Sequence, residues 1–147
     1  MADKPDFDLK TRKAYVNWAT VTIRYSDLDP NGHVNNGAFS AFFEDGRVQF
    51  RGDHMIILGD DILSGFVLVK FAVEYLNGLH FPGSVDIGTV VTKVGRTSYS
   101  LGQGIFIDDT CFAIAEVITV CLNSETKRPQ IIGGALRGIL ERAQRCL

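Results

Sequence analysis

The chain has 147 residues, of which 46% are hydrophobic and 22% are charged, and its formal net charge is −2. This length and composition predict one globular domain with a substantial core, and the lack of a basic excess excludes an ordinary nucleic-acid-binding protein. No apolar run approaches the roughly 18 residues that a membrane-spanning helix needs, so we expect no membrane partner.

Three widely spaced cysteines give no sign of a metal site or a disulfide framework. Cys111, Cys121 and Cys146 form no Cys-x-x-Cys pair, and their number is odd. The first eight residues are mostly polar and acidic, unlike a secretory signal. We therefore expect a reduced, cytoplasmic protein.

The first elements along the chain are a tail, a strand and a helix. Residues 1–14 are charged and without a hydrophobic period, so we expect a tail there and a single domain over residues 15–147. From Trp18 to Tyr25 the side chains alternate, which predicts a half-buried strand. Between Asn36 and about Gly52 the period becomes helical, with one stripe formed by Phe39, Phe42, Phe43, Gly46 and Phe50.

Four more strands and a second helix follow a linker at residues 59–64. Alternating residues predict strands at 67–75, 85–94, 98–107 and 111–122. Because their connections are short, we expect these consecutive strands to pair antiparallel. The last strand has one face of small side chains, on which a bulky helix can pack closely. The final helix starts at about Gly134, with an apolar side of Leu136, Ile139, Leu140, Ala143 and Leu147.

The most informative segment is residues 25–36, which joins the first strand to the first helix. Its sequence, Tyr-Ser-Asp-Leu-Asp-Pro-Asn-Gly-His-Val-Asn-Asn, holds two carboxylates, one histidine and three asparagines. A loop at such a junction can aim side chains while the elements beside it stay fixed. It leads into a helix N-terminus, where unpaired N–H groups favour an oxyanion or a polarised carbonyl. Asn35 or Asn36 can cap this helix.

A calcium loop is one alternative for this segment, because Asp27, Asp29, Asn31 and Gly32 match positions of an EF-hand. The twelfth position should be a bidentate glutamate, but Ala38 stands there. The segment before the loop also alternates like a strand, whereas an EF-hand requires a helix. The residues therefore predict no metal site, and an ordinary Asx-rich turn is the remaining alternative.

The loop, together with Phe-Phe-Glu-Asp-Gly-Arg at residues 42–47, resembles the hotdog-fold acyl-coenzyme A thioesterases of the 4-hydroxybenzoyl-coenzyme A thioesterase type. The likeness follows the element order from about Ala19 to Leu122, and Val-Gly-Arg-Thr-Ser at residues 94–98 is also similar. Where the family usually has Gly-Asp, this chain has Gly83-Ser84. The resemblance implies an α+β hotdog fold, with an antiparallel β-sheet wrapped around one long central α-helix.

The resemblance also implies roles for individual residues. Asp29 corresponds to the catalytic carboxylate, as nucleophile or general base, and the backbone N–H groups near Asn36 and Gly37 correspond to the groups that polarise the thioester carbonyl. His33 would hold the loop or line the substrate pocket. Three residues would meet the phosphates or the pantetheine arm of coenzyme A: Arg96, Thr97 and Ser98.

Two other carboxylates have further interpretations. We expect Asp27 to shape the loop by accepting backbone hydrogen bonds. Glu44 is a reserve for the catalytic carboxylate, since some related hotdog thioesterases carry theirs on this helix. The alternative for Glu44 is an ion pair with Arg47, three residues further along the helix.

The implied function is hydrolysis of an acyl-coenzyme A thioester to a free acid and coenzyme A, with no metal or organic cofactor. The implied assembly is a homodimer or a dimer of dimers with active sites at the dimer interface, and an open sheet edge on a single protomer favours the same arrangement. Two alternatives stay open: a hotdog hydratase or dehydratase, and a non-catalytic acyl-coenzyme A binding module. The acyl group is not defined by the sequence, nor is coenzyme A distinguished from an acyl carrier protein.

Overall fold

The computed structural model of the chain describes residues 8–59 and 65–144. The predicted helices and strands are confirmed, with ends that differ by at most a few residues. They are β1 (Asn17–Thr22), α1 (Asn36–His54), β2 (Phe66–Tyr75), β3 (Ser84–Val94), β4 (Ser98–Ile107), β5 (Thr110–Cys121) and α2 (Gly134–Arg142). The first seven residues, most of the predicted linker at 59–64, and Cys146 and Leu147 lie outside the described residues.

The five strands form one antiparallel sheet in the order β1-β3-β4-β5-β2. The expectation that β2 and β3 pair with each other is wrong. β3 has β1 on one side and β4 on the other, so neither of its edges is left for β2. β2 instead pairs with β5, from Phe66 opposite Cys121 to Tyr75 opposite Ala113. Residues 76–83 must therefore cross one end of the sheet to reach β3.

α1 packs its phenylalanine stripe against one face of the sheet, as predicted. Phe43 and Phe50 are fully buried, and the small residues Ala113 and Ala115 of β5 are buried in the same cluster. Gly46 lets the helix approach closely, because a Cβ there would collide with the Ile87 side chain. Each buried phenylalanine contributes roughly 2–3 kcal/mol by removing apolar surface from water.

The N-terminal segment differs from the expected tail. Residues 8–14 cross the outer face of the sheet. Leu9 is buried there, in the same cluster as Tyr15, the residue that follows this segment. The Tyr15 ring lies over Gly88 and Gly104, where an added Cβ would come within 2.5 Å of it. Residues 8–14 thus pack on the sheet, because its glycines leave a slot that Leu9 and Tyr15 fill.

Candidate active site

The loop after β1 begins with a turn closed by Asp27. β1 ends at Thr22, before the predicted Tyr25, because the chain turns through a 3-10 segment at Tyr25–Asp27. The Asp27 side chain is 3% exposed and accepts hydrogen bonds from the backbone N–H of Arg24 (2.7 Å) and from its guanidinium (2.9 Å). Burial alone would raise the pKa of Asp27, but the hydrogen bonds from Arg24 outweigh it and lower the pKa below its ordinary 3.8. The predicted structural role of Asp27 is confirmed.

Asp29 lies further along this loop with one carboxylate oxygen held by the backbone. Its Oδ1 accepts hydrogen bonds from the N–H groups of Asn31 (2.8 Å) and His33 (3.1 Å). The Asp29 N–H donates to the His33 carbonyl at 2.7 Å, and Gly32, with a φ of +79°, allows the tight return between them. Oδ2 has no hydrogen-bond partner within the described residues. One oxygen of this half-buried carboxylate is therefore fixed and the other is available to a ligand.

The start of α1 offers free hydrogen-bond donors near this carboxylate. Asn35 is the N-cap, and its Oδ1 accepts a hydrogen bond from the Ala38 N–H at 2.7 Å. The N–H groups of Asn36 and Gly37 have no acceptor in the part of the chain that the structure describes. A Cβ at Gly37 would meet only Asn35 Oδ1, at 3.1 Å. Two unpaired donors and the positive end of the helix dipole thus face outward together.

Asp29 and the start of α1 share one pocket of about 370 Å³. The end of β2 and the turn after it supply the remaining wall. Two of the lining rings, Phe39 and Tyr75, meet edge to face with centroids 5.2 Å apart. Of the predicted binding residues, His33 and Asn36 line the pocket, and Gly37 follows Asn36 directly. The lining residues are Asp29, His33, Val34, Asn36, Phe39, Tyr75, Leu76, Asn77 and Gly78.

Sequence reasoning missed the contribution of the end of β2 and of the residues that follow it. Residues 75–78 reach the pocket, and Leu79 and His80 reach the loop, because the connection from β2 to β3 crosses this end of the sheet. The Val34 N–H donates to the Leu79 carbonyl at 3.0 Å, and His33 and His80 form an isolated antiparallel bridge. No local pattern could have placed these residues, since their position depends on which strand β2 pairs with.

The predicted coenzyme A contacts lie at the other end of the sheet. Arg96 and Thr97 lie in the turn from β3 to β4, and Ser98 is the first residue of β4. The Gly95 N–H donates to the Ser98 carbonyl at 2.7 Å, and the Cys121 N–H donates to the Thr97 carbonyl at 2.8 Å. β3 begins beside the end of β1 and runs away from the loop, so Arg96 is separated from Asp29 by the length of β3, on the order of 30 Å. A single chain does not bring these two parts of the predicted site together.

The ion pair expected between Glu44 and Arg47 of α1 does not form within the described residues. Glu44 is exposed, whereas Arg47 is only 6% exposed and donates a hydrogen bond to Gln103 at 3.2 Å. The Arg47 guanidinium also lies over the Phe71 ring, 5.1 Å from its centroid. Burial lowers the pKa of Arg47 from its ordinary value. The long, flat Arg47 side chain is therefore buried in the core, away from the exposed Glu44.

Within residues 8–59 and 65–144, no three His, Cys, Asp or Glu side chains are arranged to hold a metal ion. None of the described helices is long and apolar enough to cross a membrane.

An antiparallel sheet around one long helix, with a loop of polar residues entering that helix, defines a hotdog protein. Residues 23–138 match the Thioesterase-like superfamily, and the chain belongs to that family. The match covers the loop, α1 and all strands except β1. None of the curated proteins matches this chain.

Solved structures support the same fold. A predicted thioesterase from Bacillus stearothermophilus is 25% identical, with a TM-score of 0.79, over 87% of this chain and 96% of that one. A thioesterase from Thermus thermophilus, complexed with coenzyme A and zinc, is also 25% identical, with a TM-score of 0.77, over 88% and 95%. A Staphylococcus aureus protein in complex with coenzyme A is 16% identical, with a TM-score of 0.77, over 88% and 86%, and shows the fold alone.

Proposed function

We propose that this protein hydrolyses acyl-coenzyme A thioesters, by chemistry of the 4-hydroxybenzoyl-coenzyme A thioesterase type. The observation that carries the proposal is the shared pocket of Asp29 and the first turn of α1. The pocket holds a carboxylate with one free oxygen together with Asn36, whose N–H is unpaired like that of the adjacent Gly37. Membership of a thioesterase-like family and a relative complexed with coenzyme A support this choice of substrate.

The proposed reaction assigns complementary roles to these groups. The N–H groups of Asn36 and Gly37 donate hydrogen bonds to the thioester carbonyl oxygen, and negative charge developing there is stabilised by the helix N-terminus. One such donor is worth about 3 kcal/mol. Asp29 either takes a proton from the water that attacks the carbonyl carbon, or attacks that carbon itself and forms an acyl anhydride that water then hydrolyses. The carbon–sulfur bond breaks, the thiolate of coenzyme A leaves and is protonated, and the acid is released. No further cofactor takes part.

The test is a thiol-release assay over aromatic, short and medium acyl-coenzyme A esters. For Asp29→Asn we expect turnover to fall a hundredfold or more, about 2.7 kcal/mol in barrier height, with KM largely kept. Asp109→Asn, an exposed turn carboxylate, is the matched control and should leave the rate unchanged. Glu44→Gln tests whether the carboxylate on α1, and not Asp29, is the catalytic one.

Four outcomes would reject parts of the proposal. Full activity in Asp29→Asn removes the assigned base or nucleophile, and loss of activity in Glu44→Gln alone transfers the role to α1. Binding of acyl-coenzyme A without thiol release by the wild type indicates a binding module. Hydration or dehydration of the acyl group with the thioester intact indicates the related hotdog chemistry.

We further propose that the active unit is a homodimer formed through β2. Among the described residues this edge strand is paired on one side only, and Val67, Leu68 and Val69 are 43%, 46% and 57% exposed. An exposed apolar edge strand is a pairing surface. Two copies of β2 related by a twofold axis would pair antiparallel, which turns the partner's sheet end for end. The partner's turn at residues 96–98 would then lie at the same end as Asp29, where it can contact coenzyme A.

Val69→Lys tests this interface, because a charge on the edge opposes strand pairing. We expect a monomer in sedimentation and a loss of thiol release. The matched control is Ile131→Lys, since Ile131 is also an exposed aliphatic side chain, at 55% exposure, but lies outside β2. A wild-type monomer with full activity would end this part of the proposal.

The cytoplasmic location stays a prediction from the cysteine usage.

A further inference from the structure

His80 lies against the side chain of His33, a lining residue of the pocket. The two imidazole ring centroids are 4.7 Å apart, and the rings are tilted by 53°. On another side of His33 is Gly78, where an added Cβ would come within 3.5 Å of the His33 ring. The His33 ring is therefore bounded by one imidazole and by a position that has no side chain. His80 itself is not among the residues that line the pocket.

The backbone links the same two residues to the Asp29 carboxylate. His33 and His80 are paired as an isolated antiparallel bridge, and the adjacent Val34 N–H donates to the Leu79 carbonyl at 3.0 Å. The His33 N–H in turn donates to Asp29 Oδ1 at 3.1 Å. A continuous series of contacts thus runs from the His80 ring through His33 to the oxygen that orients Asp29.

We propose that His80 is a positioning residue, which fixes the His33 ring and backbone and through them the Asp29 carboxylate. The proposal rests on the proposed function for its effect on catalysis. His80 touches neither the pocket nor the reacting atoms in this arrangement, so it acts through ring contact and not through proton transfer. A ring that can pack on His33 is then the property that matters at position 80, and an imidazole is not essential.

The first test compares His80→Ala with His80→Phe in the thiol-release assay. For His80→Ala we expect kcat to fall about fivefold to tenfold, the factor that the loss of one aromatic ring contact produces, with KM within about twofold of wild type. His80→Phe keeps a ring and should recover kcat to within about twofold of wild type. The double variant His33→Ala/His80→Ala should be no slower than His33→Ala alone, because His80 acts through His33.

Phe81→Ala is the matched control. Phe81 is the next aromatic residue in the same connection, but its ring packs on Tyr25, with centroids 6.0 Å apart, and not on His33. We expect it to leave kcat unchanged. Wild-type kcat in His80→Ala, or an equal loss in His80→Ala and His80→Phe, would overturn the positioning role.

Hydrogen exchange of the His33 backbone amide tests the same proposal without activity. We expect exchange about tenfold faster in His80→Ala, since the hydrogen bond to Asp29 Oδ1 opens more often, and exchange close to wild type in His80→Phe. Unchanged exchange in His80→Ala would overturn the proposal. If the wild type releases no thiol from any ester while this exchange pattern holds, the proposed function fails and the positioning of the loop by His80 stands.

Discussion

The Asp27→Asn variant measures how much the turn at the start of the loop after β1 contributes to stability. The buried Asp27 carboxylate accepts a short hydrogen bond from the Arg24 backbone N–H, at 2.7 Å. A hydrogen bond to a charged, buried acceptor contributes about 2 kcal/mol. The Arg24 side chain is 70% exposed, so its ion pair is screened by water and adds little. Asparagine keeps the shape but loses the charge. We expect the free energy of unfolding at pH 7 to fall by about 2 kcal/mol, or about 6 °C in Tm for a chain of this length.

The Asp27 carboxylate also makes the difference in free energy of unfolding between wild type and Asp27→Asn depend on pH. The pKa of Asp27 is lower in the folded chain than its ordinary 3.8, so the unfolded chain binds more protons in acid. The stabilisation is therefore complete above the unfolded pKa, and it is lost as the pH falls through the folded pKa. We expect the gap between wild type and Asp27→Asn to be constant from pH 7 to about 5 and to narrow below about 4.

Urea unfolding of both proteins at pH 7, 5 and 3 is the assay, and Asp109→Asn is the control for the loss of an exposed carboxylate. The control should differ from wild type by less than about 0.5 kcal/mol at every pH. A gap of the same size at pH 3 as at pH 7 would refute the reasoning, because it would show that the charge on Asp27 is not what stabilises the turn. Equal free energies of unfolding for wild type and Asp27→Asn at pH 7 would refute the expected loss of about 2 kcal/mol.

Further variants test the helix cap and the glycine slot. Asn35→Ala removes the acceptor for the Ala38 N–H and should lower the free energy of unfolding by about 1 kcal/mol, with Asn35→Ser recovering most of it; urea unfolding measures both. Gly104→Ala places a Cβ 2.5 Å from the Tyr15 hydroxyl and should cost about 1–3 kcal/mol, whereas Gly52→Ala, at an open helical position, should stabilise by about 0.5–1 kcal/mol. If the free energy of unfolding changed in the same direction in Gly104→Ala and Gly52→Ala, the inference that Tyr15 fills a slot over Gly104 would be contradicted.

Local sequence patterns were enough to predict the secondary elements, the helix cap at Asn35 and the turn-forming role of Asp27. Strand alternation and the phenylalanine stripe of α1 can be recognised locally, because a side chain's direction follows from its position within its own element. The cap at Asn35 and the turn-forming role of Asp27 are likewise set by hydrogen bonds to residues a few positions away. These features could be predicted because they involve only short stretches of chain.

Which distant segments meet at that loop became clear only from the folded chain. β2 could have paired with β3, but β3 has both edges occupied, so β2 pairs with β5 and the chain after it crosses beside Asp29. The end of β2 brings Tyr75 to the pocket, and the crossing brings His80 to His33. β3 then runs away from the loop, so the turn between β3 and β4 lies at the far end of the sheet. Strand order depends on long-range pairing, and no periodicity within a single segment records it.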